Sequence, residues 1–238
     1  MKIALIGYGK MGKAIEAIAV AKGHEIVHRI DLNSTHLLEK EELSKADVAI
    51  EFTTPETAYS NILKCFDANV PVVCGTTGWL EKLPEIKAQC LEKHQGFLYA
   101  SNFSVGVNIF FEINKRLAEL MTSQPQYDVK MEEIHHTQKK DAPSGTAISL
   151  AEQILEKVSR KTAWVNEEST RPEALSILSR RIDPAPGTHS VTYTSAIDDI
   201  TITHTAHSRE GFAAGAVVAA EWLDGKKGIF TMKDVLNL

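Results

Sequence analysis

Residues 132–147 read EEIHHTQKKDAPSGTA, and the side chains gathered there suit proton transfer beside a small anion. Histidine is the side chain whose ordinary pKa lies nearest neutrality, and His135 and His136 stand a few residues ahead of Lys139 and Lys140. Asp141-Ala142-Pro143-Ser144-Gly145 is a turn, with a helical pattern directly behind it. Ser144 fits the N-cap, and with Ala147 at the third helical place there is no capping box. Free N–H groups around Gly145 and Thr146 then form a cradle for a carboxylate or phosphate. A lysine and histidines reaching the same space complete a pocket for a small dianion. The competing account is a capped helix behind a solvated charge run, and for the lysines alone it is the simpler one.

A helix N-terminus disfavours protonated histidine unless an anion compensates; Glu133 and Asp141 are the candidate compensators. Adjacent residues on a strand point to opposite faces, so His135 and His136 need not share a task. No Cys or carboxylate cluster nearby completes a ligand set for that pair, and no metal site is expected.

The elements that must position this junction alternate over the first hundred residues. Strand-like runs at 2–6, 25–30, 47–52, 70–74 and 97–100 are separated by helical patterns at 11–22, 56–66 and 83–93. That β-α rhythm predicts a Rossmann-type, doubly wound parallel sheet covered by helices on both faces. Beyond residue 102 the rhythm changes to α+β. Helices are expected at 105–120 and 144–159, strands at 127–136, 175–181, 190–195 and 200–206, and a loose stretch at 162–172. An almost wholly apolar helix at 213–223 should be deeply covered and return to the first domain. The division expected is 1–104 with 211–238 as a dinucleotide-binding domain, and 105–210 as a substrate-binding and oligomerisation domain.

Gly7-Tyr8-Gly9-Lys10-Met11-Gly12 follows the first strand and opens the first helix. In that context Gly7 permits the turn, Gly9 lets backbone approach a pyrophosphate, and Gly12 lets helix and strand pack. Asp31, ending the second strand, is placed for the ribose hydroxyls of the adenine side; as a bland alternative it is an exposed turn acid. A carboxylate there repels a 2′-phosphate and Leu32 offers no guanidinium, so NADH is favoured over NADPH, with Arg29 and His36 as cations still to be placed. Gly75-Thr76-Thr77 and Ala100-Ser101-Asn102-Phe103 lie at the carboxyl ends of later strands, the edge where such sheets bind ligands. Taken alone they are the polar loops that every such sheet has.

The chain has 238 residues, 43% hydrophobic, enough for one large domain or two small ones. With 26 basic and 31 acidic side chains and a net charge of −5, it has no general attraction for nucleic acid or anionic membranes. No apolar run approaches the ~20 residues that span a bilayer. Cys65, Cys74 and Cys90 fall outside any C-x-x-C spacing and read as free thiols. MKIALIG enters a strand with no secretory pattern, so a cytoplasmic location is expected.

At the junction the chain resembles the 4-hydroxy-tetrahydrodipicolinate reductase family, also called dihydrodipicolinate reductases. The family signature is His-His, then Lys, then Asp-Ala-Pro-Ser-Gly-Thr-Ala; here it runs from His135-His136 through Lys139 to Asp141-Ala-Pro-Ser-Gly145-Thr146-Ala147. The similarity extends to the glycine loop, to Gly75-Thr-Thr-Gly78, and to the stretches 100–108, 202–209, 215–217 and 228–236. The resemblance implies NAD(P)H-dependent reduction of 4-hydroxy-tetrahydrodipicolinate, via dihydrodipicolinate, to tetrahydrodipicolinate in lysine and diaminopimelate biosynthesis. It makes His135 the proton donor or acceptor and Lys139 a proton donor. It gives His136, Gly145 and Thr146 to the carboxylates of a dicarboxylate substrate. Gly7, Tyr8, Gly9, Lys10, Met11, Asp31, Gly75, Thr76, Thr77, Ala100, Ser101, Asn102 and Phe103 fall to the dinucleotide, and the assembly to a homotetramer built through the substrate-domain sheets. Three features depart from better-known members: a glycine loop shorter by one residue, an abbreviated connection after Asp31, and Leu32 where some members carry arginine.

That reaction needs hydride at one ring carbon and a proton at its neighbour. His135 is the choice for the proton, with Lys139 its rival. Hinges for closure are expected near 102–106 and 208–211. Two alternatives stand: another two-domain nicotinamide oxidoreductase acting on a sugar or amino acid, and an NADH-sensing regulator. The regulator should carry a basic DNA-binding element, and the sequence has no such patch.

Overall fold

The computed structural model describes residues 1–208 and 210–238. Arg209, which ends the 202–209 stretch and sits in the second expected hinge, lies outside the described residues. The chain divides into two compact units, Met1–Asn108 with Glu210–Leu238, and Ile109–Arg209.

In the first unit, β1 (Lys2–Ile6), α1 (Lys10–Ala21), β2 (Glu25–Ile30), α2 (Lys40–Leu43), β3 (Val48–Glu51) and α3 (Pro55–Asp67) lead to β4 (Val72–Cys74), α4 (Leu83–Glu92) and β5 (Gly96–Tyr99). A helix α5 (Val105–Met121) then crosses the division between units. In the second unit β6 (Asp128–His135), α6 (Gly145–Lys157), β7 (Ala163–Val165), β8 (Ala174–Arg181), β9 (Gly187–Thr194) and β10 (Asp199–Ala206) follow. The chain then returns to the first unit with α7 (Glu210–Leu223), β11 (Gly228–Phe230) and α8 (Met232–Leu236).

The first sheet has six strands in the order β11-β5-β4-β3-β1-β2, and every pair is parallel. Its inner strands are apolar at nearly every position because both faces are covered. Ala4 and Ile6 join a core with Ile62, Phe66 and Ile86 of α3 and α4. Ile3 and Leu5 join another with Ile15, Ala19 and the α7 residues Ala216, Val217 and Ala220. Side chains alternate along a strand, so one pentapeptide feeds two cores.

The second sheet is mixed, in the order β10-β9-β6-β8-β7. β6 is its centre, antiparallel to β9 and parallel to β8. Its third core gathers Val129 and Met131 of β6, Leu150, Ala151 and Ile154 of α6, and Val191 and Tyr193 of β9. The stretch expected to be loose, 162–172, is not loose throughout: Ala163–Val165 pairs in parallel with β8. A three-residue strand is too short to show a period, so its pairing partner defines it rather than its own pattern.

Candidate active site

In β6 every second residue is buried: Val129, Met131, Glu133, His135. The first two end in hydrocarbon, the last two in titratable groups, so the covered face of one strand passes from core to chemistry over four residues. Register brings partners from elsewhere. Glu133 stands opposite His189 of β9, and His135 opposite Arg181 of β8.

Glu133 is fully buried. Its Oε1 accepts a hydrogen bond from the Ser144 backbone N–H at 3.2 Å and one from Arg181 Nη2 at 3.2 Å. Its Oε2 lies 3.1 Å from His135 Nδ1 and 3.7 Å from His189 Nε2. Burial alone pushes this carboxyl up, yet the polar groups of His135, Ser144 and Ser179 close to it outweigh that and hold it well below the ordinary value. His189 is drawn the other way for its type: burial, then the neighbouring His135, lower it to about 4, so it is neutral at pH 7. The His135 and His189 rings meet edge to face with centroids 5.1 Å apart.

Ser144 caps α6 as its sequence position predicts, its Oγ accepting from the Ala147 N–H at 3.2 Å and bonding His189 Nε2 at 3.0 Å. The N–H groups of Gly145 and Thr146 are the orphan donors of the helix start. Gly145 is exposed, and a Cβ added to it would meet nothing within 4 Å. Lys139 Nζ pairs with Asp141 at 2.7 and 2.8 Å, and this pairing holds the Asp141 carboxyl below its usual range. Of the two acids expected to compensate the histidines, Glu133 therefore does so and Asp141 answers Lys139 instead. The 136–143 loop is tied by Arg181, which donates to the carbonyls of Lys139 (3.3 Å) and Asp141 (2.6 Å), and by Asp183, which accepts from Thr137. His136 follows the end of β6, half-buried, its carbonyl closing a turn with the Lys139 N–H at 3.1 Å.

His135, Ser144, Gly145 and Thr146 are thus brought to one end of β6 and α6. Sequence reasoning missed His189 and Arg181. A histidine among small polar residues on an alternating strand was the available signal for the first; nothing local marks the second. His136 joins no ligand set among the described residues, but a carboxylate does group with His135 and a histidine of another strand. Glu133, His135 and His189 present donor atoms within 4.8 Å of one another. The Glu133 charge is nevertheless already answered by the guanidinium of Arg181.

In the first unit Gly7 has φ +97, and a Cβ there would fall 1.9 Å from the Phe52 carbonyl oxygen. A Cβ at Gly12 would fall 2.3 Å from the Gly7 oxygen, whereas one at Gly9 would meet nothing within 4 Å. The two outer glycines shape the turn and the middle one leaves open space at the N-cap of α1, a fit to a phosphate group. A cavity of about 440 Å³ opens there, lined by Gly7, Tyr8, Gly9, Asp31, Leu32 and Thr53 among others. Asp31 is exposed, its Oδ1 accepting from Asn33 N–H and Ser34 Oγ, and Leu32 beside it is 90% exposed. Arg29 is bound to Glu16, which also accepts from the Tyr8 hydroxyl. Lys10 is exposed and Met11 half-buried on α1.

The Thr76 hydroxyl oxygen accepts from the Thr53 N–H (2.7 Å), the Gly75 N–H donates to the Glu51 carbonyl (2.9 Å), and Thr77 is exposed. Beneath them the fully buried Glu51 accepts from the Thr53 hydroxyl and the Cys74 thiol, a pairing the sequence did not reveal. Ala100 N–H bonds the Cys74 carbonyl at 3.2 Å, Ser101 is exposed, and Asn102 Oδ1 accepts from Ser104 N–H at 2.9 Å. The Phe103 ring is buried against Phe52, so it has only backbone to offer a ligand.

A parallel sheet opening on a glycine turn, and a second sheet that sets a buried histidine at the head of a helix, belong together in one class: reductases that take hydride from a nicotinamide nucleotide. Comparison with known proteins narrows the class. The profile for "Dihydrodipicolinate reductase, N-terminus" matches residues 1–103, and that for "Dihydrodipicolinate reductase, C-terminus" matches 106–236. The chain belongs to the dihydrodipicolinate reductase family. It is 52% identical over 239 residues to the 4-hydroxy-tetrahydrodipicolinate reductase of Christiangramia forsetii, covering 100% of this chain and 98% of that one. The Neisseria gonorrhoeae protein of the same name is 36% identical over 203 residues, 82% of this chain and 74% of its own. Among solved structures, a dipicolinate-bound dihydrodipicolinate reductase from Paenisporosarcina sp. TG-14 superposes with a TM-score of 0.77 at 25% identity, over 97% of each chain.

Proposed function

We propose that the protein reduces 4-hydroxy-tetrahydrodipicolinate, through loss of water and uptake of hydride and a proton, to tetrahydrodipicolinate. The observation that carries this reading is that the buried Glu133 links His135 to the Ser144-capped start of α6. The amides of Gly145 and Thr146 take one substrate carboxylate, with His136 a further contact, and the orientation so fixed lowers the entropic cost of reaction. The bound nicotinamide supplies the hydride. His135 delivers the proton to the adjacent ring carbon, and Lys139, released from Asp141, is the second donor in reach of the same loop.

In the first unit Gly7, Tyr8, Gly9, Lys10 and Met11 would hold the pyrophosphate, Asp31 the ribose, and the 75–77 and 100–103 loops the nicotinamide end. NADH is the preferred form. Among the described residues no Lys, Arg or His lines the cavity beside Asp31, and Arg29 is engaged by Glu16. Among the described residues no helix is long and apolar enough to cross a membrane, and a cytoplasmic location accords with three buried free cysteines. The second unit's open sheet face is taken as the surface of a homotetramer.

The test is a synthase-coupled assay followed by loss of reduced-nucleotide absorbance. Wild type should oxidise NADH with a higher kcat/KM than NADPH. His135→Gln should lose about 10²–10⁴-fold in kcat with NADH affinity retained. A wild type that binds NADH tightly yet turns over no substrate would instead indicate a sensor.

A further inference from the structure

Glu133 has no role in the reaction just described, yet it is fully buried and contacts His135, Ser144 and Arg181. We propose that Glu133 is the positioning residue that fixes the proton of His135 on Nδ1, leaves Nε2 as the atom that exchanges a proton with substrate, and holds that ring in register with the carboxylate cradle of α6. The inference rests on His135 being the acid–base group.

A carboxylate is acceptor-only. Its Oε1 is saturated by Arg181 and by the Ser144 N–H, at 3.2 Å each. Only Oε2 faces the ring, 3.1 Å from Nδ1. Both atoms are buried and neither has another partner among the described residues, so the proton that satisfies both must lie on Nδ1. Their approach is within contact distance but off the hydrogen-bond line, as is common before substrate tightens a site. His189, 3.7 Å from the same oxygen, is committed through Nε2 to the Ser144 hydroxyl at 3.0 Å. Being neutral, it adds no competing cation. On the far side of the ring Nε2 looks onto Gly187, where a Cβ would stand 3.0 Å away. Because Oε1 also holds the N-cap residue of α6, one buried side chain spaces the proton donor from the amides that grip the substrate's acidic arm.

The experiment combines Glu133→Gln, alone and in a His135→Asn background, with nitrogen-15 NMR of histidine-labelled wild type. Glu133→Gln should lower kcat about 10²-fold or more while dipicolinate affinity by calorimetry changes less than about 3-fold. In the His135→Asn background the same substitution should change kcat by less than about 3-fold, because its effect runs through the ring. In wild type the His135 signals should report a protonated Nδ1. Equal losses in both backgrounds, a parallel loss of dipicolinate affinity, or a wild-type His135 carrying its proton on Nε2 alone would each overturn the proposal. The NMR measurement decides the matter if Glu133→Gln does not fold. An inactive wild type, or a fully active His135→Asn, counts against the reading of the reaction rather than against the proton position.

Discussion

At residue scale the second unit's site is held by opposed perturbations within a few ångströms. Glu133 keeps its charge although buried, because donors surround it; His189 gives up its charge because burial and His135 both disfavour it. The consequence for stability follows from linkage. His189 binds its proton at about 4 when folded, against 6.5 for an ordinary histidine, so below pH 6.5 the unfolded chain takes up a proton that the folded one refuses. Its contribution is complete above 6.5 and is lost as pH falls toward 4, about 2 kcal/mol of it between pH 7 and pH 5. Glu133, depressed rather than raised, stabilises above its ordinary carboxylate range and fails only in stronger acid. Urea unfolding of His189→Gln should therefore lose about 2 kcal/mol less than wild type between pH 7 and pH 5; parallel losses would refute the assignment. Sequence alone disclosed the half of this site that is contiguous. Glu133, His135 and Ser144 lie within a dozen residues, where strand alternation and cap chemistry can be read directly. His189 and Arg181 arrive through the pairing of β6 with β9 and β8, and register between distant strands leaves no local mark.

At the scale of elements, long periodic segments were legible and short paired ones were not. β1 announces itself by an apolar run that stops at Gly7, β2 by a β-rich run that stops at Asp31, and α6 by its capped stripe. β11 has three residues and exists by pairing with β5, while a single turn of helix at Lys40–Leu43 lies in the connection after Asp31. The apolar helix α7 was legible as deeply covered, but not the closeness of its contact. A Cβ at Gly215 would stand 1.8 Å from the Phe103 carbonyl oxygen and 2.7 Å from its carbon. Alanine for glycine inside a helix is worth about 1 kcal/mol in propensity. A clash against backbone, which cannot rotate away, costs about 3 kcal/mol or more. The clash wins by about 2 kcal/mol, and Gly215→Ala should lower Tm by roughly 4–8 °C. NADH binding should weaken as well, since the displaced backbone belongs to the 100–103 loop. Gly145→Ala, with open space around it, is the control expected to keep its Tm.

At the scale of the whole molecule, the two units bury their sheets differently. The first covers both faces with its own helices. The second covers one: Val129, Met131, Val191 and Tyr193 point to the core, while Thr188, Ser190 and Thr192 point outward with Thr201, Thr203 and Thr205 of β10. Those hydroxyls bond across the strands at 3.0–3.3 Å, and Glu132 and Arg180 pair at 2.7 Å on the same face. Such a face satisfies much of its own hydrogen bonding, which is why it serves as the proposed tetramer surface. In a symmetric contact a residue near a two-fold axis approaches its own copy, so a single substitution sets two like charges together in a desolvated place. On an isolated unit the same change costs less than about 1 kcal/mol, the whole span of strand propensity. Thr203→Glu should therefore leave dipicolinate binding in place while light scattering falls from four chain masses to two or one. A wild type that scatters as a single chain, or a Thr203→Glu variant that stays at four, would refute assembly through this face.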